Sequence, residues 1–142
     1  MRQAHIIQRF EAGAIALLAL GAVVVVYSGW WWVIFAAFVL FDLSMLGYVR
    51  STAVGATSYN LIHNYGFPAL IGLTAFVTQS SFPGVSTVAG LLACAWAFHV
   101  GVDRALGYGL KLPDAFGHTH LGWVGKDRES GDQRSESDAP GR

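Results

Sequence analysis

The stretch VSTVAGLLACAWAFHVGVDRAL, from Val85 to Leu106, decides the fold. It carries no charge until Asp103 and Arg104, and it is as long as the roughly 20 apolar residues a helix needs to cross a bilayer's hydrocarbon core. At helical spacing it has two faces. Ala89, Ala93, Ala97 and Gly101 repeat every four residues, a stripe of small side chains that lets another helix approach closely. Leu92, Trp96, His99 and Asp103 share the opposite face, which turns polar toward its end.

The rest of the chain has the same character. Of its 142 residues 54% are hydrophobic and 13% charged, where an ordinary soluble domain carries about 25% charged residues. No charged side chain lies between Ala12 and Phe41, and none between Ser51 and Val102; half of all Asp, Glu, Lys and Arg follow Gly125. So apolar a body has too few polar faces for a soluble fold. The expectation is an all-α integral membrane four-helix bundle, with spans at about 12–27, 30–49, 54–78 and 85–106. A surface segment, 107–125, completes a domain of residues 1–125, and the lipid bilayer is its first partner. Residues 126–142 are rich in Asp, Glu, Arg, Ser and Gly with no apolar face to bury, and are expected to be a disordered tail.

Connections follow from local signals. Ser28 and Gly29 make a tight turn, the tryptophans 30–32 suit the membrane–water interface, and Gln79 to Gly84 form a polar turn. Pro68 predicts a kink in the third span. Arg2 and Arg9 resemble the basic flank of a signal peptide, but Tyr27, Ser28 and the tryptophans offer no small-residue cleavage site, so the first span is expected to be retained. Arg2, Arg9, Arg50, Arg104, Lys111, Lys126 and Arg128 all fall on one side of a four-span path, while the first and third connections are uncharged. The positive-inside rule then makes this a multi-pass protein of the cell membrane with both termini cytoplasmic. The formal net charge of zero points away from nucleic acid as a partner. The lone Cys94 can form no intrachain disulfide. The face of Ala89, Ala93, Ala97 and Gly101 can meet the first helix, or a second copy of the chain in a homo-oligomer.

Polar side chains in a span are expensive and ask for a reason. The second span holds Asp42; the third holds Tyr59, Asn60, His63 and Asn64; the fourth holds His99 and Asp103, with Arg104 next. Asp42 is eight residues from Arg50 and His99 five from Arg104, or roughly 12 Å and 7–8 Å from the inner boundary at the α-helical rise. Three separate stretches thus bring ionisable groups to the inner half.

One reading is a divalent metal such as zinc or iron held by His63, His99, Asp103 and His120, with Asp42 completing the shell. His99 and Asp103 stand one turn apart, and an open coordination position would permit hydrolysis or oxidation, which leaves catalysis undecided. A second reading is a ligand-free polar network through Asp42, Tyr59, Asn60, Arg104, Tyr108 and Lys111 that fixes the bundle's register, in a small membrane interaction or transport-associated protein. Haem between His63 and His99, and proton-linked transport or lipid-headgroup binding through Asp42, Asp103, Arg104 and Lys111, are further alternatives. Arg104 points about 100° away from Asp103 on a helix, so it is expected to pair with Asp42 instead.

The run from His99 through Asp103-Arg104 to Gly107-Tyr108-Gly109-Leu110-Lys111 resembles the signature of the domain of unknown function 4260 family, small bacterial membrane proteins. So do Phe116 with Thr119-His120-Leu121-Gly122, the stretch Tyr59 to His63, and Asp42 with Gly47-Tyr48. The likeness covers roughly Ala12 to Gly125. It implies a four-span membrane protein and assigns no activity, so no catalytic role is carried over. His118 is outside the pattern, which makes His120 the better candidate ligand.

Overall fold

A computed structural model describes residues 2–125, and almost all of that chain up to Leu106 is helical. The expected tail from Lys126 to Arg142 lies outside the described residues. Helix α1 spans Arg2–Val26; a 3-10 turn, Ser28–Trp30, leads into α2, Val33–Asp42, which continues as a 3-10 helix over Leu43–Val49. Helices α3, Thr52–Ile62, and α4, Gly66–Thr78, follow, then α5, Pro83–Leu106. A small antiparallel hairpin, β1 His118–Thr119 and β2 Gly122–Trp123, lies in the segment beyond α5. Gln3–Val26, Thr52–Thr78 and Pro83–Leu106 are each long and apolar enough to cross a membrane; Val33–Val49 is apolar but shorter.

Helix α5 is the centre, with α1, α2 and α4 packed on it. Small residues make this packing. Ala12, Ala16, Ala19 and Val23 recur at helical spacing on α1 and are buried. Gly101 of α5 lies directly against Ala12 and Ala16, and Ala93 lies beside Gly72 of α4. The small-residue stripe of the fourth span is therefore used inside the chain at these two positions. Toward the other end of α1, Val23, Ile34, Ala37 and Ala95 form one buried cluster from α1, α2 and α5.

Helix ends follow local chemistry. Pro83 opens α5 where its missing N–H has no partner to lose. Gly107 closes α5 at φ 101°, with Gly107 N–H donating to Arg104 O and Tyr108 N–H to Asp103 O. Glycine adopts that left-handed conformation without steric cost. Ser51 caps α3 by accepting from Val54 N–H at 3.2 Å.

The third span departs from expectation. It breaks at His63–Tyr65, upstream of Pro68, which sits in the first turn of α4 where proline is tolerated. The break leaves the last carbonyls of α3 without helical donors, and each finds another. Asn64 Nδ2 donates to Asn60 O and Leu61 O, Trp96 Nε1 to Ile62 O at 2.6 Å, and Arg104 Nη2 to His63 O at 3.1 Å. Asn64 Oδ1 in turn accepts from Gly66 N–H. Two of these donors come from α5, so the break is built around that helix. The 3-10 stretch has a similar geometric effect. Its rise of about 2.0 Å per residue carries Asp42 a few ångströms farther from Arg50 than an α-helix would.

The close approach of α5 to the α1 backbone gives a direct test. A Cβ on Gly101 would lie 2.8 Å from Ala12 O and 3.0 Å from Ala16 N, whereas Gly21 has nothing within 4 Å. Gly101→Val is expected to destabilise the protein in detergent by roughly 1–3 kcal/mol, the usual range for overpacking. Gly21→Val should leave the unfolding midpoint unchanged.

Candidate metal centre

Four potential ligands meet inside the bundle. Asp42 ends α2, His63 caps α3 at the break, and His99 and Asp103 are one turn apart on α5. One ligand atom from each lies within 4.8 Å of all the others. His63 Nε2 is 2.9 Å from His99 Nε2, and 3.4 Å from both Asp42 Oδ1 and Asp103 Oδ2. His99 Nε2 is 3.5 Å from Asp42 Oδ1 and 3.9 Å from Asp103 Oδ2. Ligands set tetrahedrally at about 2.0–2.1 Å from a zinc ion stand about 3.3–3.4 Å apart. The five separations scatter around that value.

The surroundings orient the ligands. His63 Nδ1 lies 3.0 Å from Tyr59 O; in the tautomer that donates there, Nε2 keeps its lone pair toward the cluster. The Tyr59 ring stacks on His63 at 3.6 Å between centroids, and its hydroxyl donates to Asp103 Oδ2 at 3.0 Å. His99 is held by packing: Phe38 meets its ring at 4.3 Å and Phe41 at 5.4 Å, and among the described residues Nδ1 has no hydrogen-bond partner. Both imidazoles are sealed, at 1% and 0% exposure. Asp42 keeps 35% of its side chain exposed and Asp103 15%.

Among the described residues no lysine or arginine comes within 4 Å of either carboxylate. The expected Arg104–Asp42 pair is not formed. Arg104 donates to the His63 carbonyl and touches His120 Nε2 at 3.4 Å. The α3 break, invisible in the residue pattern, presents that carbonyl to the guanidinium. Asp103 is met by the Tyr59 hydroxyl and the two imidazoles, and the partly exposed Asp42 by the two imidazoles, so a cation between the carboxylates would offset their charge.

His120 is not brought to the group. Its Nδ1 accepts from Leu110 N–H at 2.8 Å, so it braces the turn after α5. Asn60 likewise serves as a tether: Nδ2 donates to Lys111 O at 2.9 Å and Oδ1 accepts from Lys111 N–H at 2.7 Å. The Asn60 side chain thus pins the surface segment to α3, a role its position in the span did not announce. Tyr108 is half-exposed, and Lys111 is buried beneath the Phe116 ring. The family comparison covers all these positions: the model of the domain of unknown function DUF4260 matches residues 5–124. The chain belongs to this family. The match takes in α1 from His5 onward, every later helix and the hairpin, so the four clustered residues and the Asn60 tether all lie inside the family's domain. No curated protein and no solved structure matches the chain.

Two outcomes follow. Arg104→Ala removes the donor from a buried carbonyl and should destabilise the bundle by about 1–3 kcal/mol. Asp42→Asn should not rescue that loss, and a double-mutant cycle should show coupling below about 0.5 kcal/mol. Burial, with Arg104 beside it, pushes the His120 imidazole below its ordinary pKa. A depressed histidine contributes stability that is full above the unfolded value of about 6.5 and is lost as pH falls below it. The protection factor of the Leu110 amide, its exchange rate relative to the intrinsic rate at each pH, should fall on acidification through this range, and His120→Asn should flatten the dependence.

Proposed function

We propose that this chain is a four-span protein of the cell membrane that holds one divalent metal ion between Asp42, His63, His99 and Asp103. The convergence of two nitrogen and two oxygen ligands from three helices, at spacings suited to one tetrahedral ion, carries the reading. A divalent cation would cancel two carboxylate charges that no basic side chain meets. Histidine with carboxylate suits zinc or non-haem iron. Asp42 takes the place among the ligands that the residue pattern gave to His120.

Several features support the membrane. Large side chains such as Leu17, Leu18, Val25, Val39, Leu70 and Phe76 are exposed, while alanine and glycine fill the helix contacts. That distribution suits lipid as the outer solvent. Ten α-helical residues at about 1.5 Å and seven 3-10 residues at about 2.0 Å extend Val33–Val49 to roughly 29 Å, close to the hydrocarbon thickness of about 30 Å. An even number of spans keeps Arg9, Arg50, Arg104 and Lys111 on one side, which makes both termini cytoplasmic.

A metal-free network is the competing reading, favoured by the 2.9 Å separation of the two Nε2 atoms, which is also a hydrogen-bond length. Elemental analysis of protein purified in detergent separates the two. About one zinc or iron per chain is expected, lost in His63→Ala and His99→Ala and kept in His120→Ala. Tyr59→Phe, which removes the bond to Asp103, should weaken retention against a chelator about 10–100-fold. Metal-free wild-type protein that also refuses added zinc would sink the reading.

A further inference from the structure

We propose that the cavity beside these four residues seats an amphiphile through its anionic head, a carboxylate or phosphate carrying an apolar chain. The inference builds on the metal reading for what the head meets at the cavity's inner end. It draws on the cavity wall for what recognises it.

The cavity has a volume of about 570 Å³ and is lined by Asp42, Asp103, Tyr59, Lys111, Met45 and Phe116, among others. That size falls in the range of small-molecule sites, about 300–1,000 Å³. His63 and His99 do not line it; the two carboxylates do. The site is therefore asymmetric. Its nitrogen ligands are locked in the protein interior, and its oxygen ligands face a space that a second molecule can enter.

Lys111 sets the sign of that molecule. The residue is 5% exposed, and among the described residues its ammonium makes one hydrogen bond, to Phe116 O at 2.9 Å. It lies 4.4 Å from the Phe116 ring centroid and 5.4 Å from that of Tyr59. Among the described residues no carboxylate comes within 4 Å of it. An ammonium has three N–H donors, so two remain for a ligand. Asp42 and Asp103 alone would repel an anion. With a divalent cation between them their charge is cancelled, and Lys111 becomes the uncompensated charge of the cavity wall. Buried cations without counter-ions are costly, and an anionic head offsets that cost.

The rest of the wall suits an apolar chain. Met45, Phe116 and Val124 line the same cavity, and Leu43, Leu46 and Val49 of the adjoining 3-10 helix are exposed. The cavity lies between that helix, which ends one residue before Arg50, and the segment that carries Lys111. In the four-span arrangement this is the inner boundary, where lipid headgroups reside. A carboxylate and a phosphate offer the same chemistry here, oxygen acceptors for an ammonium and for a metal ion.

The experiment uses the full chain in nonionic maltoside micelles, prepared zinc-loaded and zinc-free, with zinc content measured in every sample. The probe is dodecanoate carrying ¹³C at its carboxyl carbon, followed by NMR. Zinc-loaded wild-type protein should shift the carboxyl resonance saturably. Lys111→Met should weaken binding about tenfold or more, the scale of a lost charge-assisted hydrogen bond, and Lys111→Arg should keep most of it. Dodecyl phosphate should compete; dodecanol and inorganic phosphate should compete poorly. Competition by inorganic phosphate as strong as by dodecyl phosphate would mean a free-anion site and overturn the proposal. Equal competition by dodecanol, or undiminished binding in a folded Lys111→Met variant, would do the same. Zinc uptake without dodecanoate binding overturns this inference and leaves the metal reading standing. Lysine-dependent binding to protein that takes up no zinc keeps the cavity assignment and discards the metal.

Discussion

A backbone carbonyl in an apolar interior must find a donor, and the interruption between α3 and α4 leaves four to be satisfied. The answer fixes the architecture around it. Asn64 closes two of the gaps from within the break, and Trp96 and Arg104 close the others from α5. Those two residues are eight apart on α5, about 12 Å along its axis, so they hold the broken span in both height and rotation. His63, the residue at the break, is thereby delivered to His99 at 2.9 Å. A continuous helix would keep its carbonyls to itself and offer Arg104 nothing to bind.

Packing is distributed in the reverse of a soluble domain. Where α1 and α5 come closest the contact is made by Ala12, Ala16 and Gly101, and many large side chains such as Leu17, Leu18 and Phe76 are outside, while Val23 and Ile34 are buried farther along. Close backbone approach, rather than burial of bulky groups, holds these helices. This leaves little slack. At Gly101 even one methyl group collides with the Ala12 backbone. The polar cluster sits toward the same end of α5, two residues either side of that contact, so its geometry inherits the rigidity of the helix pair.

Much of this was legible in the residue pattern. The uncharged runs gave the long helices, and Asp42, His63, His99 and Asp103 stood out as polar residues in apolar stretches that converge. Four things were not legible, each for a physical reason. Pro68 suggested a kink at itself, but proline in the first turn of a helix disturbs nothing; the break belongs to the residues before it. Arg104 was matched to the nearest unpaired acid, because a freed carbonyl leaves no mark in a sequence. His120 carries the same side chain whether it binds a metal or accepts from Leu110 N–H, and only the fold of the segment after α5 decides between them. Asn60 belongs with these. Its amide matches one residue's N–H and C=O together, a pairing that requires knowing that Lys111 passes alongside.

That pairing has a consequence for the order in which the protein is made. Asp42, His63 and His99 emerge from the ribosome in succession, and the Lys111 backbone that Asn60 grips follows them. Until that last segment has been synthesised, the space beside Asp42 and Asp103 has no wall on the Lys111 and Phe116 side. The cavity beside the four-residue cluster is thus walled only after the helices that supply the cluster have been made.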